Sequence, residues 1–192
     1  DSGIQSIMAG HIALPEYSRK LRPGIKDEDI MPATLAPELI TDLLRGKLGF
    51  NGLVLTDASH MAGMTAAMPR SQQVPGAIAA GCDMFLFFND IEEDFCYMMD
   101  GYRNGIITEE RLTDALRRIL GLKASLKLHE KKKKGTLIPE KEGLSVVGCA
   151  EHLAMAAEAA KKSITLVKDT QHNLPVTPKT HKRAYAFVIS SP

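Results

Sequence analysis

Charge of one sign is missing from this sequence: 24 basic side chains stand against 23 acidic ones, a formal net charge of +1. No global field therefore draws the chain to nucleic acid or to an anionic membrane, and a neutral or small polar substrate fits better. No apolar run approaches the length of a membrane span, and no secretory leader is visible. The chain opens at Asp1 without an initiator Met and enters an apolar strand almost at once, so its true beginning is expected upstream. Cysteine is scarce. Cys82, Cys96 and Cys149 form an odd set without CxxC or metal spacing, and they read as buried thiols that lean towards a reducing, cytoplasmic compartment without excluding export. The six histidines show neither HxxxH nor HExxH spacing, which argues against a metal site. Gly10, Gly46, Gly49 and Gly52 do not make a GxGxxG phosphate loop, so no nucleotide cofactor is implied.

What is present is enough apolar residue, 44% of the chain, for a packed core. Ile4 to Ala9 predicts a buried strand that runs through Gly10 into His11. Pro32 to Phe50 predicts a helix with Pro37 at its first position and Leu39, Ile40, Leu43, Leu44 and Leu48 on one face, stopped by Gly49. Leu53 to Leu55 predicts a second buried strand that turns polar abruptly at Thr56 and Asp57. After a loop with Met61 and Met64 comes the short Ala77 to Ala80 segment, and Met84 to Phe88 predicts a third strand. Phe95, Met98, Met99 and Tyr102 predict a helix ending near Gly105. Thr108 caps another, with Leu112, Leu116, Ile119 and Leu120 as its buried stripe. Strands alternating with helices imply a parallel α/β sheet, covered on both faces or closed into a barrel. From His129 to Gly143 the chain turns lysine-rich, with Lys131 to Lys134 in a row. This reads as a solvated linker rather than a nucleic-acid site, since no aromatic residues interleave. Beyond it Leu153 to Lys162 predicts a helix, and Ile164 to Val167 and Ala184 to Ile189 predict strands.

Reactive groups in parallel α/β folds gather at the C-terminal ends of strands, where the loops converge. Asp57 sits at such an end. Its carboxylate there either caps the next segment and bonds loop amides, or acts on a substrate as base, nucleophile or metal ligand. Position alone does not choose between them.

The string from Leu43 to Asp57, LLRGKLGFNGLVLTD, resembles the signature of glycoside hydrolase family 3. IMAGHI at Ile7 to Ile12, PATLAP at Pro32 to Pro37, AGCDMFL at Ala80 to Leu86, GIITEERLTDALRRILGL at Gly105 to Leu122, and SITLVK at Ser163 to Lys168 followed by Leu174 and Pro175 are similar to further family segments, in family order. The resemblance implies the last three strands and helices of a (β/α)8 TIM-type barrel over residues 1–128, a linker over 129–148, and the beginning of an α/β second domain over 149–192. It also implies that Asp57 is the nucleophile of a retaining β-glycosidase, which forms a covalent glycosyl-aspartate while a second group about 5 Å away protonates the leaving oxygen. In the family that second group is a His assisted by an Asp on a loop before strand six, or a Glu from the second domain. Neither segment falls within these 192 residues.

Thr56, Asp57, Ala58 and Met61, with AGCDM followed by Asn89 and Asp90, resemble the β-N-acetylglucosaminidase branch, with β-glucosidase or β-xylosidase as the alternative. The expected partner is an oligosaccharide or glycoside. His60 either lines the sugar pocket or is an ordinary loop histidine. His11 either faces the site or bonds a loop carbonyl, and Met61 either packs beside the sugar or fills core. A reading of another class is a non-catalytic carbohydrate-binding or assembly fragment. Three strands alone would leave an edge and an inner apolar face open, so the missing part of the barrel or self-association is expected to cover them.

Overall fold

A computed structural model describes residues 3–183, 185, 187 and 188. The chain divides into two compact units, Asp1–Leu137 and Ile138–Pro192; the boundary lies within the lysine-rich stretch.

The first unit is built on two parallel strands, β1 (Ser6–Ala9) and β2 (Leu53–Thr56), paired from Ser6 with Leu53 to Ala9 with Thr56. A short helix α1 (Pro15–Leu21) follows β1. The predicted helix after Pro37 is present but is a π-helix over Glu38–Lys47. Its wider turn buries Leu39 and Ile40, leaves Leu43 and Leu44 half-buried, and puts Leu48, one residue past its end, in solvent. Ala9, Ile40, Val54 and Cys82 close into one apolar core, with Leu44 and Phe50 against it.

Beyond β2 the chain forms α2 (Ala62–Thr65), α3 (Arg70–Ala80), α4 (Ile91–Arg103), α5 (Glu109–Ser125) and α6 (Leu128–Lys133). Asp90 caps α4 by accepting from the Glu92 and Glu93 amides, and the Thr108 hydroxyl caps α5 by accepting from Arg111. On α5 the buried position is Ala115; Leu112 and Ile119 are half-buried, and Leu116 and Leu120 are exposed. Helices α3 and α4 approach closely where Gly101 meets the Pro75 ring. A Cβ at Gly101 would overlap the ring carbons. The first turns of the two helices are joined by the Arg70–Asp94 ion pair.

Further expectations need correction. Met84 to Phe88 is not a strand: it makes a single parallel bridge, Leu55 to Met84, and Phe87 takes a left-handed backbone (φ 52°) that turns the chain away. The strand at Ile4 to Ala9 is not fully buried. Among the described residues it has a hydrogen-bonded neighbour on one side only, and Ile4 and Met8 are exposed. Cys96 is likewise exposed, because the apolar residues beside it in sequence lie on other faces of α4; Cys82 is buried and Cys149 intermediate. Burial pushes the Cys82 thiol up to about 12. An alkylating reagent at pH 8 is therefore expected to label Cys96 in the folded protein and to spare Cys82 until denaturant is added, read by peptide mass mapping.

The second unit contains a 3-10 segment at Lys141–Val146 and the helix α7 (Ala150–Ser163), which covers the predicted helix. Ile164 to Val167 forms no strand. Ile164, Leu166 and Val167 are exposed, since no strand among the described residues lies beside them to pair with. The expected strand from Ala184 to Ile189 includes positions outside the described residues.

Candidate active site

The ladder between β1 and β2 runs one residue further than the strands themselves. The Asp57 amide donates to the Ala9 carbonyl at 2.9 Å, so Asp57 is still held in extended register. Side chains alternate along a strand, which puts Asp57 on the same side as Leu55 and opposite Val54 and Thr56. Val54 and Thr56 are buried. Leu55 lies in register between Met8 and Met84, which are 55% and 42% exposed. Asp57 therefore stands above an open apolar row at the C-terminal end of the sheet.

The residues flanking Asp57 are fixed from two directions. Thr56 donates its amide to the Met84 carbonyl at 3.1 Å and accepts the Leu86 amide on its hydroxyl at 2.8 Å. The Ala58 carbonyl accepts from His11 Nε2 at 3.1 Å. Since a carbonyl only accepts, Nε2 carries the proton, and in the neutral ring Nδ1 accepts from the Thr34 hydroxyl at 2.7 Å. His11 is thus buried between the loops after β1 and β2, with both ring nitrogens engaged inside the protein. On the other side, the Ser59 amide donates to the Leu86 carbonyl at 3.2 Å, and the Ser59 hydroxyl donates to the Phe87 carbonyl.

Asp57 itself is half-buried, and its Oδ1 accepts from the Ala58 amide at 2.7 Å. Among the described residues, Oδ2 has no hydrogen-bond partner. His60 and Met61 follow on the same loop and are exposed, and the His60 ring stacks at a tilt on Phe87, 6.2 Å between centroids. The four residues singled out from the sequence thus share the strand-end loops: Asp57 with one oxygen unengaged, His60 and Met61 open to solvent, His11 enclosed. Sequence reasoning missed Thr34, Ser59, Arg70, Phe87 and Asp94, which hold those loops. Only Ser59 carried a local signal, its place two residues after Asp57.

Gly63 belongs to the same support. A Cβ there would collide with the His11 carbonyl oxygen, a backbone atom that cannot swing aside. Gly63→Ala is expected to lower stability by about 1–3 kcal/mol through overpacking, measured as a shifted denaturation midpoint. An unchanged midpoint would mean that α2 and the β1 loop are free to separate.

Among the described residues, no cluster of three or more His, Cys, Asp or Glu side chains is placed to hold a metal, and no helix is long and apolar enough to cross a membrane. A half-buried carboxylate at a strand end, with one oxygen oriented by a backbone amide and the other unengaged, is suited to nucleophilic or basic work on a substrate.

The model of the glycosyl hydrolase family 3 N-terminal domain matches residues 1–122. The chain belongs to glycosyl hydrolase family 3. Its TIM-barrel-type N-terminal domain accounts for the parallel strands and the crossover helices between them. A β-N-acetylglucosaminidase/β-glucosidase of Cellulomonas fimi is 51% identical over 190 residues, 99% of this chain and 33% of that protein. A β-hexosaminidase of Chromobacterium violaceum is 37% identical over 93 residues, 48% of this chain and 23% of that one. The solved structure of a β-glucoside phosphorylase bound to 2FGlc superposes with a TM-score of 0.81 at 42% identity, covering 92% of this chain and 31% of that chain. The chain spans a third or less of the length of these family 3 relatives.

Proposed function

We propose that this chain supplies the nucleophile, Asp57, to a retaining β-glycosidase that releases terminal β-linked N-acetylglucosamine. The observation that carries the reading is the Asp57 carboxylate, held in ladder register at the end of β2 with Oδ2 free of hydrogen bonds among the described residues. Oδ2 attacks the anomeric carbon as the bond to the leaving oxygen breaks, and the Ala58 amide orients Oδ1. A water then displaces the carboxylate. The acid/base comes from outside these 192 residues. His60 and Met61 border the sugar, and His11 acts from behind by fixing Ala58. Residues 1–128 correspond to the last three strand-helix units of the barrel, with the third strand reduced to its bridge, 129–148 to a linker and 149–192 to the start of the second domain. A reducing, cytoplasmic compartment fits the cysteines.

A fluorosugar with an activated leaving group, 5-fluoro-N-acetylglucosaminyl fluoride or a 2-deoxy-2-fluoro aryl glucoside, given to the full-length enzyme, tests the assignment directly: the trapped sugar is expected on the peptide that contains Asp57, and label on another residue would overturn it. Faster turnover of aryl glucoside or xyloside than of aryl N-acetylglucosaminide would move the substrate to the β-glucosidase or β-xylosidase alternative. Turnover by the isolated 192-residue chain would contradict an external acid/base. With Met8, Met84, Phe87 and Phe88 exposed, that isolated chain is expected to associate, and a monodisperse monomer in sedimentation velocity would contradict this.

The similarity to a β-glucoside phosphorylase at 42% identity favours a second reading of the second step. A phosphate oxygen replaces water, bonds to the anomeric carbon as the bond to Asp57 breaks, and the electron pair returns to the carboxylate. The product is then a glycosyl phosphate with retained configuration. Product analysis with and without inorganic phosphate separates the two, since hydrolysis releases free sugar alone.

A further inference from the structure

The loop that carries Asp57 is braced by an ion pair that the reaction itself does not use. Arg70, the first residue of α3, donates through Nε to Asp94 Oδ1 at 2.6 Å and through a terminal nitrogen to Oδ2, a two-point pairing with 18% and 7% of the side chains exposed. The same terminal nitrogen of Arg70 reaches Ser59 Oγ at 3.1 Å. Asp94 Oδ2 also accepts the Asn89 amide at 2.9 Å, and the guanidinium lies 5.8 Å from the centre of the Phe85 ring. Two strand-end loops are thus joined at one point. The first, after β2, carries Asp57, Ser59 and His60; the second, Phe85 to Asn89, carries Phe87, on which His60 packs.

Ser59 is the junction. It is 1% exposed, and its hydroxyl accepts from Arg70 while donating to the Phe87 carbonyl. Its position two residues from Asp57 transmits any movement of the pair to the carboxylate. With Asp57 N held by Ala9 and Ala58 O held by His11 on one side, the Arg70–Asp94–Ser59 chain is the support on the other. We propose that Arg70 and Asp94 are positioning residues for the Asp57 nucleophile and the His60–Phe87 wall, acting through the Ser59 hydroxyl; this rests on the reading of Asp57 given above.

A nucleophile displaced by about 1 Å loses on the order of 10²-fold in rate. The test uses the full-length enzyme and reads formation of the glycosyl-enzyme with the same fluorosugar, together with kcat and KM. Arg70→Met and Ser59→Ala are each expected to slow trapping and kcat by roughly 10- to 100-fold with KM within about threefold, because displacement of the carboxylate acts on the bond-forming transition state, whereas the bound sugar loses only part of its contact with His60. Arg70→Lys, which keeps the charge but not the planar fork, is expected to recover part of the loss. The double variant Arg70→Met/Ser59→Ala is expected to be no slower than the slower single variant, since both remove one linkage.

A folded Arg70→Met enzyme that traps at the wild-type rate overturns the proposal. So does a double variant whose loss is the product of the two single losses. If Arg70→Met does not fold, Ser59→Ala decides: a wild-type trapping rate there overturns the proposal, and a slowed rate at unchanged KM supports it. Mapping the label keeps the two claims apart. Label away from Asp57 removes the nucleophile assignment, whereas label on Asp57 with unaffected variants removes only the role of Arg70 and Asp94.

Discussion

Asp57→Ala in the full-length enzyme is expected to lower kcat by on the order of 10⁴-fold or more while leaving the fold intact. The rate loss follows from removing the atom that bonds to the anomeric carbon, and 10⁴-fold corresponds to about 5.5 kcal/mol of activation free energy. The fold is expected to survive because the carboxylate is half-buried and, among the described residues, bonds only to the adjacent Ala58 amide. The ladder bond at this position is made by the backbone, Asp57 N to Ala9 O, and does not depend on the side chain. Azide or formate added to Asp57→Gly is expected to restore part of the rate with an activated aryl glycoside. The small anion bonds to the anomeric carbon from the vacated side as the aryl oxygen leaves, and the product has the inverted configuration. A kcat within tenfold of the unsubstituted enzyme would remove Asp57 from the reaction. Circular dichroism and the denaturation midpoint separate that result from unfolding.

The strand that presents Asp57 was legible because its sequence changes character within one residue. Leu53, Val54 and Leu55 are apolar, Thr56 and Asp57 are polar, and the structure ends β2 at Thr56. Thr108 and Gly105 marked a helix start and a helix end because capping chemistry is local. Where the outcome depended on non-local pairing, the sequence carried no information. Met84 to Phe88 and Ile164 to Val167 have the composition of buried strands, but composition does not say whether a neighbour lies alongside, and each lacks the ladder that would make it one. For His11 the sequence left two readings open, facing the site or bonding a loop carbonyl, and the buried ring bonds the Ala58 carbonyl. Both partners, Thr34 and Ala58, come from segments 23 and 47 residues away. The Arg70–Asp94–Ser59 linkage was invisible for the same reason: its partners lie 24 and 11 residues apart on separate elements, so no local pattern joins them.

Asp83→Ala is expected to cost about 3–5 kcal/mol of stability, the range for removing one partner from a buried ion pair. The Asp83 side chain is fully buried. Its Oδ2 accepts from Arg45 at 2.7 Å and from the Val54 amide at 2.9 Å, and its Oδ1 accepts from Arg111, with Arg118 at 3.8 Å. One carboxylate thereby ties the π-helix and α5 to the middle of β2. Without it Arg45 and Arg111 lose their buried counter-ion, and burial already works against the Arg45 charge strongly enough to lower its pKa. Asp114 partly compensates Arg111 and Arg118, through bonds to both. Burial disfavours the charged Asp114, but hydrogen bonding and attraction from Arg118, then attraction from Arg111, outweigh it and hold the carboxyl below its ordinary 3.8. A depressed value in the folded state contributes stability above the unfolded pKa, and that contribution fades as pH falls from about 3.8 through the folded value. The denaturation midpoint is therefore expected to fall over this acid range, less steeply in Asp114→Asn. Set against a typical domain stability of about 5–15 kcal/mol, the Asp83 loss removes a large share of what holds β2, and with it Asp57, in place. Asp83→Asn keeps a group that can accept from the Val54 amide and should lose less than Asp83→Ala. Equal and small shifts for the two variants, under about 1 kcal/mol, would show that the arginines find water instead.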